Sequence, residues 1–183
     1  LILFVSHGPG IDEDAVGTPQ QGMGGTLLKN ILRDCGVEGL CAYTNVTRCF
    51  IPDPKNPHKS KHPTKKQMDY CVPPLFNEIE ALNPRLIVTL GAPAAKYLLE
   101  VGTIKHAAGQ VIEHVGRLWS PAIQPAAVFH SLGTPQEQAT KELFRNQITR
   151  AVEISQSPEN FKPKLPPHEI LSLDEPERIA SVL

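Results

Sequence analysis

The chain has few aromatic residues, 5% of its 183 positions with a single Trp. No apolar run approaches the roughly 18 residues that a helix needs to cross a bilayer, so a soluble protein without a membrane partner is expected. Charge of either sign is not in excess: Lys plus Arg total 18, Asp plus Glu 19, and the net charge is −1. Any anionic partner must therefore be met by a local patch. Cysteine is scarce as well. Four Cys at uneven spacings do not resemble a disulfide framework, which fits a reducing cytoplasmic location. Pairs of His with a carboxylate at zinc-ligand spacing are missing around His106 and His114. What the chain does have is 18 Pro, clustered, and a 40% share of hydrophobic residues, enough for one core. Residues 1–155 are expected to form one domain. Residues 156–183, rich in Pro and acids, read as a linker and the start of a following, truncated region. Because residues 1–5 already read as a buried strand, a fragment or processed form is expected.

Strand and helix signals alternate. Residues 1–5 are a continuous apolar run that ends in Ser6-His7-Gly8-Pro9-Gly10, the pattern of a buried parallel strand entering a glycine-rich turn. Leu27, Leu28, Ile31, Leu32 and Cys35 have helical spacing, and Gly36 stops them. Residues 40–46 predict a second strand. Residues 47–66 contain Pro52, Pro54, Pro57 and Pro63 and predict an irregular loop. Residues 64–82 predict two short helices broken at Pro73-Pro74. Residues 86–90 predict a strand and 92–100 a helix. Residues 111–115 and 126–129 predict the last strands, the second ending at His130, and a final amphipathic helix runs from Thr134 through Val152. The alternation predicts a three-layer α/β/α sandwich with a central, mainly parallel sheet, and ligands at the carboxyl ends of its strands.

The loop over residues 6–25 carries six Gly and the run Asp12-Glu13-Asp14. It lacks the Lys-Ser/Thr ending of a P-loop and the spacing of a dinucleotide fingerprint, which argues against nucleoside triphosphates. Its glycines permit close backbone approach to a base or sugar-phosphate. Read alone, the stretch is a tight turn with solvated acids.

Several ordered motifs resemble the uracil-DNA glycosylase superfamily, and within it the family 4 iron-sulfur enzymes. Gly8-Pro9-Gly10, Glu13-Asp14, Gly17, Pro19, Gly22, Gly25 and Leu27-Leu28 fall at the family's first-motif positions without a gap. Thr44-Asn45-Val46-Thr47-Arg48-Cys49 resembles its second motif, Asn83-Pro84 with Leu90-Gly91-Ala92 a third, and Phe129-His130 its histidine motif. The resemblance covers about residues 1–152. It implies a domain that binds DNA, receives a flipped uracil and hydrolyses the bond between base and sugar. Carried onto this chain, it gives His7, Asp14 and His130 catalytic positions. Gly8, Pro9, Gly10, Gln20 and Asn45 become base-binding, the Asn45 amide reading the uracil edge as both donor and acceptor. The basic stretch with Arg48, Lys59, Lys61 and Lys65 becomes the DNA-phosphate contact. Cys49 and Cys71 match two of the family's four cluster ligands. Either a 4Fe-4S cluster draws its other two ligands from upstream, or Cys49 and Cys71 are unligated thiols; Cys35 and Cys41 read as core residues.

Three departures from the family concern one pocket. His7 stands where the family has a Glu, Gln20 where it has a stacking Phe, and His130-Ser131-Leu132 where it has His-Pro-Ser. A covalently uracil-trapping subgroup carries an enlarged basic loop with a reactive His, a comparison that His58 or His62 invites, but the surrounding motif does not match. Residues 167–177 resemble the lead-in to the exonuclease region of phage-type family A DNA polymerases. Two readings follow, an active glycosylase or a catalytically weak DNA- or uracil-recognition module fused to a polymerase. An unrelated nucleotide-binding α/β protein is a third.

Overall fold

The structure, a computed structural model, describes residues 1–163. In chain order its elements are β1 (Ile2–Ser6), α1 (Ile11–Val16), α2 (Met23–Asp34), β2 (Cys41–Asn45), β3 (Pro52–Asp53), β4 (Asn56–Ser60), α3 (Lys65–Leu82) and β5 (Leu86–Leu90). There follow α4 (Ala92–Leu99), α5 (Ile104–Ala107), β6 (Ile112–His114), β7 (Arg117–Ala122), α6 (Ala126–His130) and α7 (Glu137–Gln156). The apolar runs at β1 and β5 are buried on both faces, as central parallel strands require. The sheet order is β2-β1-β5-β7-β6, parallel except for the β6–β7 pair.

Alternation of side chains sends the sheet's two faces into two cores. Ile2, Phe4, Leu86, Val88 and Leu90 pack with Leu28, Ile31 and Leu32 of α2 and with Phe144, Ile148 and Val152 of α7. Leu3, Val5, Ile87 and Trp119 pack against Met68, Val72, Leu75 and Ile79 of α3 and Ala95 and Leu99 of α4. The result is the expected three-layer α/β/α sandwich. After the short Pro158–Asn160 turn, Phe161 packs on the α7 layer with the Arg150 guanidinium 5.1 Å from its ring.

Four local expectations are corrected. Residues 126–129 form helix α6, and the strand of this region is β7, whose Arg, Ser and Pro hid it; β7 is buried because it lies between β5 and β6. A short apolar run does not by itself separate strand from helix. The proline-rich stretch holds a two-stranded hairpin, β3–β4, in which Pro52 and Pro57 sit in strands that each have one partner among the described residues, with Pro54 in the turn between them and Pro63 after the hairpin. Pro73 and Pro74 do not break α3, which stays continuous because Met68, Val72, Leu75 and Ile79 bury one face at helical spacing. The first glycine-rich loop contains a one-and-a-half-turn helix, α1, closed by Gly17 in the left-handed conformation at φ 75°. The polymerase-like stretch at 167–177 lies outside the described residues.

Candidate functional site

The carboxyl ends of β1 and β2 open into a cavity of about 220 Å³. Ser6 and Asn45, register partners on these two strands, stand side by side in its wall. The pairing continues past the strands, Val46 N–H donating to Ser6 O at 2.8 Å and Thr47 N–H to His7 O at 3.1 Å. The Thr47 hydroxyl donates to the same His7 carbonyl at 2.9 Å. His7, Gly8, Pro9 and Gly10 form one side, Gln20, Gly24 and Gly25 a second, and Gln124, Pro125 and Ala126 a third. Ser60 at the end of β4 also lines it, so the hairpin contributes to the wall.

Glu13 gives the loop its shape. One carboxylate oxygen accepts from Gly10 N–H at 2.9 Å, the other from Gln21 and Gly22 N–H at 3.2 Å each. The carboxylate that reaches the cavity is thus held by backbone amides, while Asp14 is exposed and outside the lining. Gln20 is buried at φ 59°, and its amide nitrogen donates to Ser6 Oγ at 2.8 Å. Left-handed backbone at a residue other than Gly costs about 1 kcal/mol or more and persists only where packing over-determines it. Here Gly25 lies directly beneath, and a Cβ there would meet Gln20 O at 2.1 Å. Among the described residues no Phe, Tyr or Trp lines the cavity, so the wall offers amides, hydroxyls, an imidazole and the Glu13 carboxylate.

That imidazole belongs to His7, 4% exposed, with an Nδ1 that has no hydrogen-bond partner. Burial, and then the nearby His62, lower its pKa to about 4, which keeps it neutral near pH 7. The exposed His62 meets it edge to face, ring centroids 5.0 Å apart. His130 is exposed in the last turn of α6, four residues beyond the lining residue Ala126. The structure therefore gathers His7, Gly8, Pro9, Gly10, Gln20 and Asn45 in one cavity and leaves Asp14 and His130 outside its lining. Ser6, Ser60 and Gln124 join the site without having been assigned to it, brought there only by the fold, and Glu13 of the matched Glu13-Asp14 pair joins through its bonds to the loop amides.

Among the basic residues, Lys59 and Lys61 are exposed and make no ion pair among the described residues. Lys65 is paired with Asp69 at 2.9 Å. Arg48 is tied to Glu78 at 2.7 Å.

A second cavity, about 590 Å³, lies against the N-terminal half of α3 and is lined by Thr47, Cys49, Ile51, Gln67, Tyr70 and Cys71 among others. Cys49 and Cys71 thus face one space. An iron-sulfur cluster needs four ligands, and among the described residues no group of three or more His, Cys, Asp or Glu could hold a metal ion. The residues present do not make a cluster site by themselves. Cys35 and Cys41 pack against the α2 and α7 layer, and burial pushes the Cys41 thiol up to about 11.

The cavity is polar and lies at the strand ends of a three-layer α/β/α sheet, the position at which open α/β sheets bind their ligands. The chain belongs to the uracil DNA glycosylase superfamily, whose family pattern matches residues 1–149. It is 31% identical over 159 residues to a type-4 uracil-DNA glycosylase of Archaeoglobus fulgidus, covering 84% of this chain and 76% of that protein. To the type-4 enzyme of Thermotoga maritima it is 36% identical over 100 residues, 54% of this chain and 49% of that protein. A DNA polymerase of Bacillus phage SP01 is 30% identical over 109 residues, 58% of this chain and 11% of the polymerase. Among the described residues no helix is long and apolar enough to cross a membrane.

Proposed function

We propose that this domain takes a uracil flipped out of DNA into the 220 Å³ cavity and hydrolyses its N-glycosidic bond. The carrying observation is Asn45, 8% exposed, beside Ser6 in a cavity smaller than the roughly 300–1,000 Å³ typical of drug-sized ligands. A carboxamide donates to one edge atom of uracil and accepts from the next, a pattern that cytosine reverses. The backbone of Gly8 to Gly10 approaches the ring without side chains in the way. In the reaction the C1′–N1 bond breaks with its electron pair leaving on the base, a water oxygen bonds to C1′, and the proton that the water gives up ends on the departing base by way of solvent. His7, neutral and with a free Nδ1, is the group that accepts a hydrogen bond from that water. Glu13 lines the same cavity, with Oε1 accepting from the Gln21 and Gly22 amides and Oε2 from that of Gly10, so it shapes the loop around the water that His7 holds. His130 is assigned to the departing base on the motif resemblance; it is exposed in the last turn of α6, one turn beyond the lining residue Ala126. Lys59 and Lys61 on the hairpin side meet DNA phosphates.

Cys49 and Cys71 are proposed as two of four thiolate ligands, the others coming from outside the described residues; no step above depends on a cluster. A second reading, recognition of uracil without excision in a polymerase-linked protein, is favoured by one feature. Among the described residues the one carboxylate in the lining, Glu13, is tied to three loop amides, and the phage polymerase likeness points the same way.

The test is single-turnover excision from single- and double-stranded oligonucleotides carrying one uracil, with Asn45→Ala and His7→Ala alongside. Abasic product that is lost in both variants supports the hydrolytic reading. Uracil-dependent binding without product supports the recognition reading, and DNA binding indifferent to uracil overturns both.

A further inference from the structure

We infer that Glu78, acting through Thr44 and Arg48, is a positioning residue for Asn45. The inference rests on reading Asn45 as the group that contacts the base edge. β2 is an edge strand, held by sheet hydrogen bonds only to β1. Its last two residues are Thr44 and Asn45, whose side chains leave on opposite faces. On the cavity face the Asn45 side chain makes no hydrogen bond among the described residues that would fix its backbone from that side. On the other face a closed triangle does so. Thr44 Oγ1 donates to Glu78 Oε2 at 2.7 Å and accepts from Arg48 Nη1 at 2.8 Å, and Arg48 Nη2 donates to the same Glu78 oxygen at 2.7 Å.

The three corners come from the strand end, the turn after it and α3, so they tie the free side of the edge strand to the helix layer. Thr44 is 1% exposed, whereas the Arg48 and Glu78 side chains are 40% and 33% exposed. An ion pair that open contributes little to stability. Its effect is geometric: it fixes the backbone from which the Asn45 amide projects, and a misplacement of 1 Å can cost about 100-fold in rate. The same triangle occupies Arg48 internally, which assigns it a role other than the phosphate contact that the basic stretch suggests.

The experiment compares wild type, Glu78→Ala, Glu78→Gln and Arg48→Ala in excision rate, KM, salt dependence of DNA binding and thermal midpoint. The expected result is a 10- to 100-fold fall in the single-turnover rate of Glu78→Ala, with KM and midpoint little changed. Glu78→Gln keeps an acceptor for both partners and should recover most of the rate. Arg48→Ala should slow excision without lowering the salt slope. A folded Glu78→Ala with wild-type rate overturns the inference, as does a salt slope that drops by about one phosphate contact in Arg48→Ala. If the wild type neither excises nor binds uracil, the reading of the site fails instead. The clamp is then judged by the Asn45 side-chain amide in NMR spectra of the unliganded protein: broadened or shifted in the two clamp-breaking variants if it is right, unchanged if it is wrong.

Discussion

The two cavities that flank the end of β2 are built from different material. The smaller one is assembled by the sheet: Ser6 and Asn45 are register partners, Glu13 binds three loop amides, and Gly25 supports Gln20 from below. The larger one is a surface hollow between α3 and the residues after β2, where Cys49 is exposed, Cys71 half-buried and Tyr70 almost wholly exposed. The difference shows where each site's precision comes from. A cavity on a buried parallel sheet is pre-organised by the fold, whereas a pair of thiols, one on α3 and one after β2, becomes a metal site only when further ligands complete it.

The largest effect that would sharpen this contrast is expected at Asn45. Asn45→Ala should lower uracil excision by about 100- to 1,000-fold, the usual loss for one pre-organised hydrogen-bonding group in an active site, measured by single-turnover cleavage of the abasic product. His7 gives the next. Its pKa of about 4 in the fold lies below the ordinary 6.5, so the unfolded chain binds the proton more readily. Stability from this group is complete above about pH 6.5 and falls as pH drops toward 4, by about 3 kcal/mol at most. Urea midpoints across that interval should show the loss, and His7→Gln should flatten it. Gly25→Ala places a Cβ 2.1 Å from the Gln20 carbonyl, where backbone has to yield. A cost of about 1–3 kcal/mol is expected in thermal melts, together with weaker uracil binding as Gln20 shifts. The smallest effect is expected across the comparison. Cys49→Ser on an exposed thiol should change stability by no more than about 0.5 kcal/mol. A much larger loss, or loss of visible absorbance, would turn the second cavity from a hollow into a built metal site.

Much of the site was legible because its residues sit at the ends of elements that announce themselves. The apolar runs of β1 and β5 predict buried strands, and Asn45 follows a third strand whose neighbours match a known motif order. Other parts were not legible for physical reasons. β7 carries Arg117, Ser120 and Pro121, and only its place between two strands makes it a strand. The run at 126–130 has strand-like composition but turns as a helix, which takes His130 to an exposed position beside the cavity rim. Pro73 and Pro74 weaken α3 locally, yet the buried face outweighs them. The basic stretch reads as one charged patch, but Arg48 and Lys65 are bound to Glu78 and Asp69, and those acids are distant in sequence or on the neighbouring turn.

The amino-acid sequence by itself determined the layer architecture and the order of the central strands' signals, because periodicity is a local property, and its motifs carried the superfamily resemblance that pointed to His7, Gly8, Pro9, Gly10, Gln20 and Asn45. Only the tertiary structure decided which charged groups are free, that Glu13 holds the loop while Asp14 faces solvent, and that His7 is neutral against His62. It also decided that Thr44 and Arg48 meet Glu78. Those outcomes depend on which side chains long-range packing brings within hydrogen-bond distance and out of water, and neither burial nor partnership is written in any single stretch of chain.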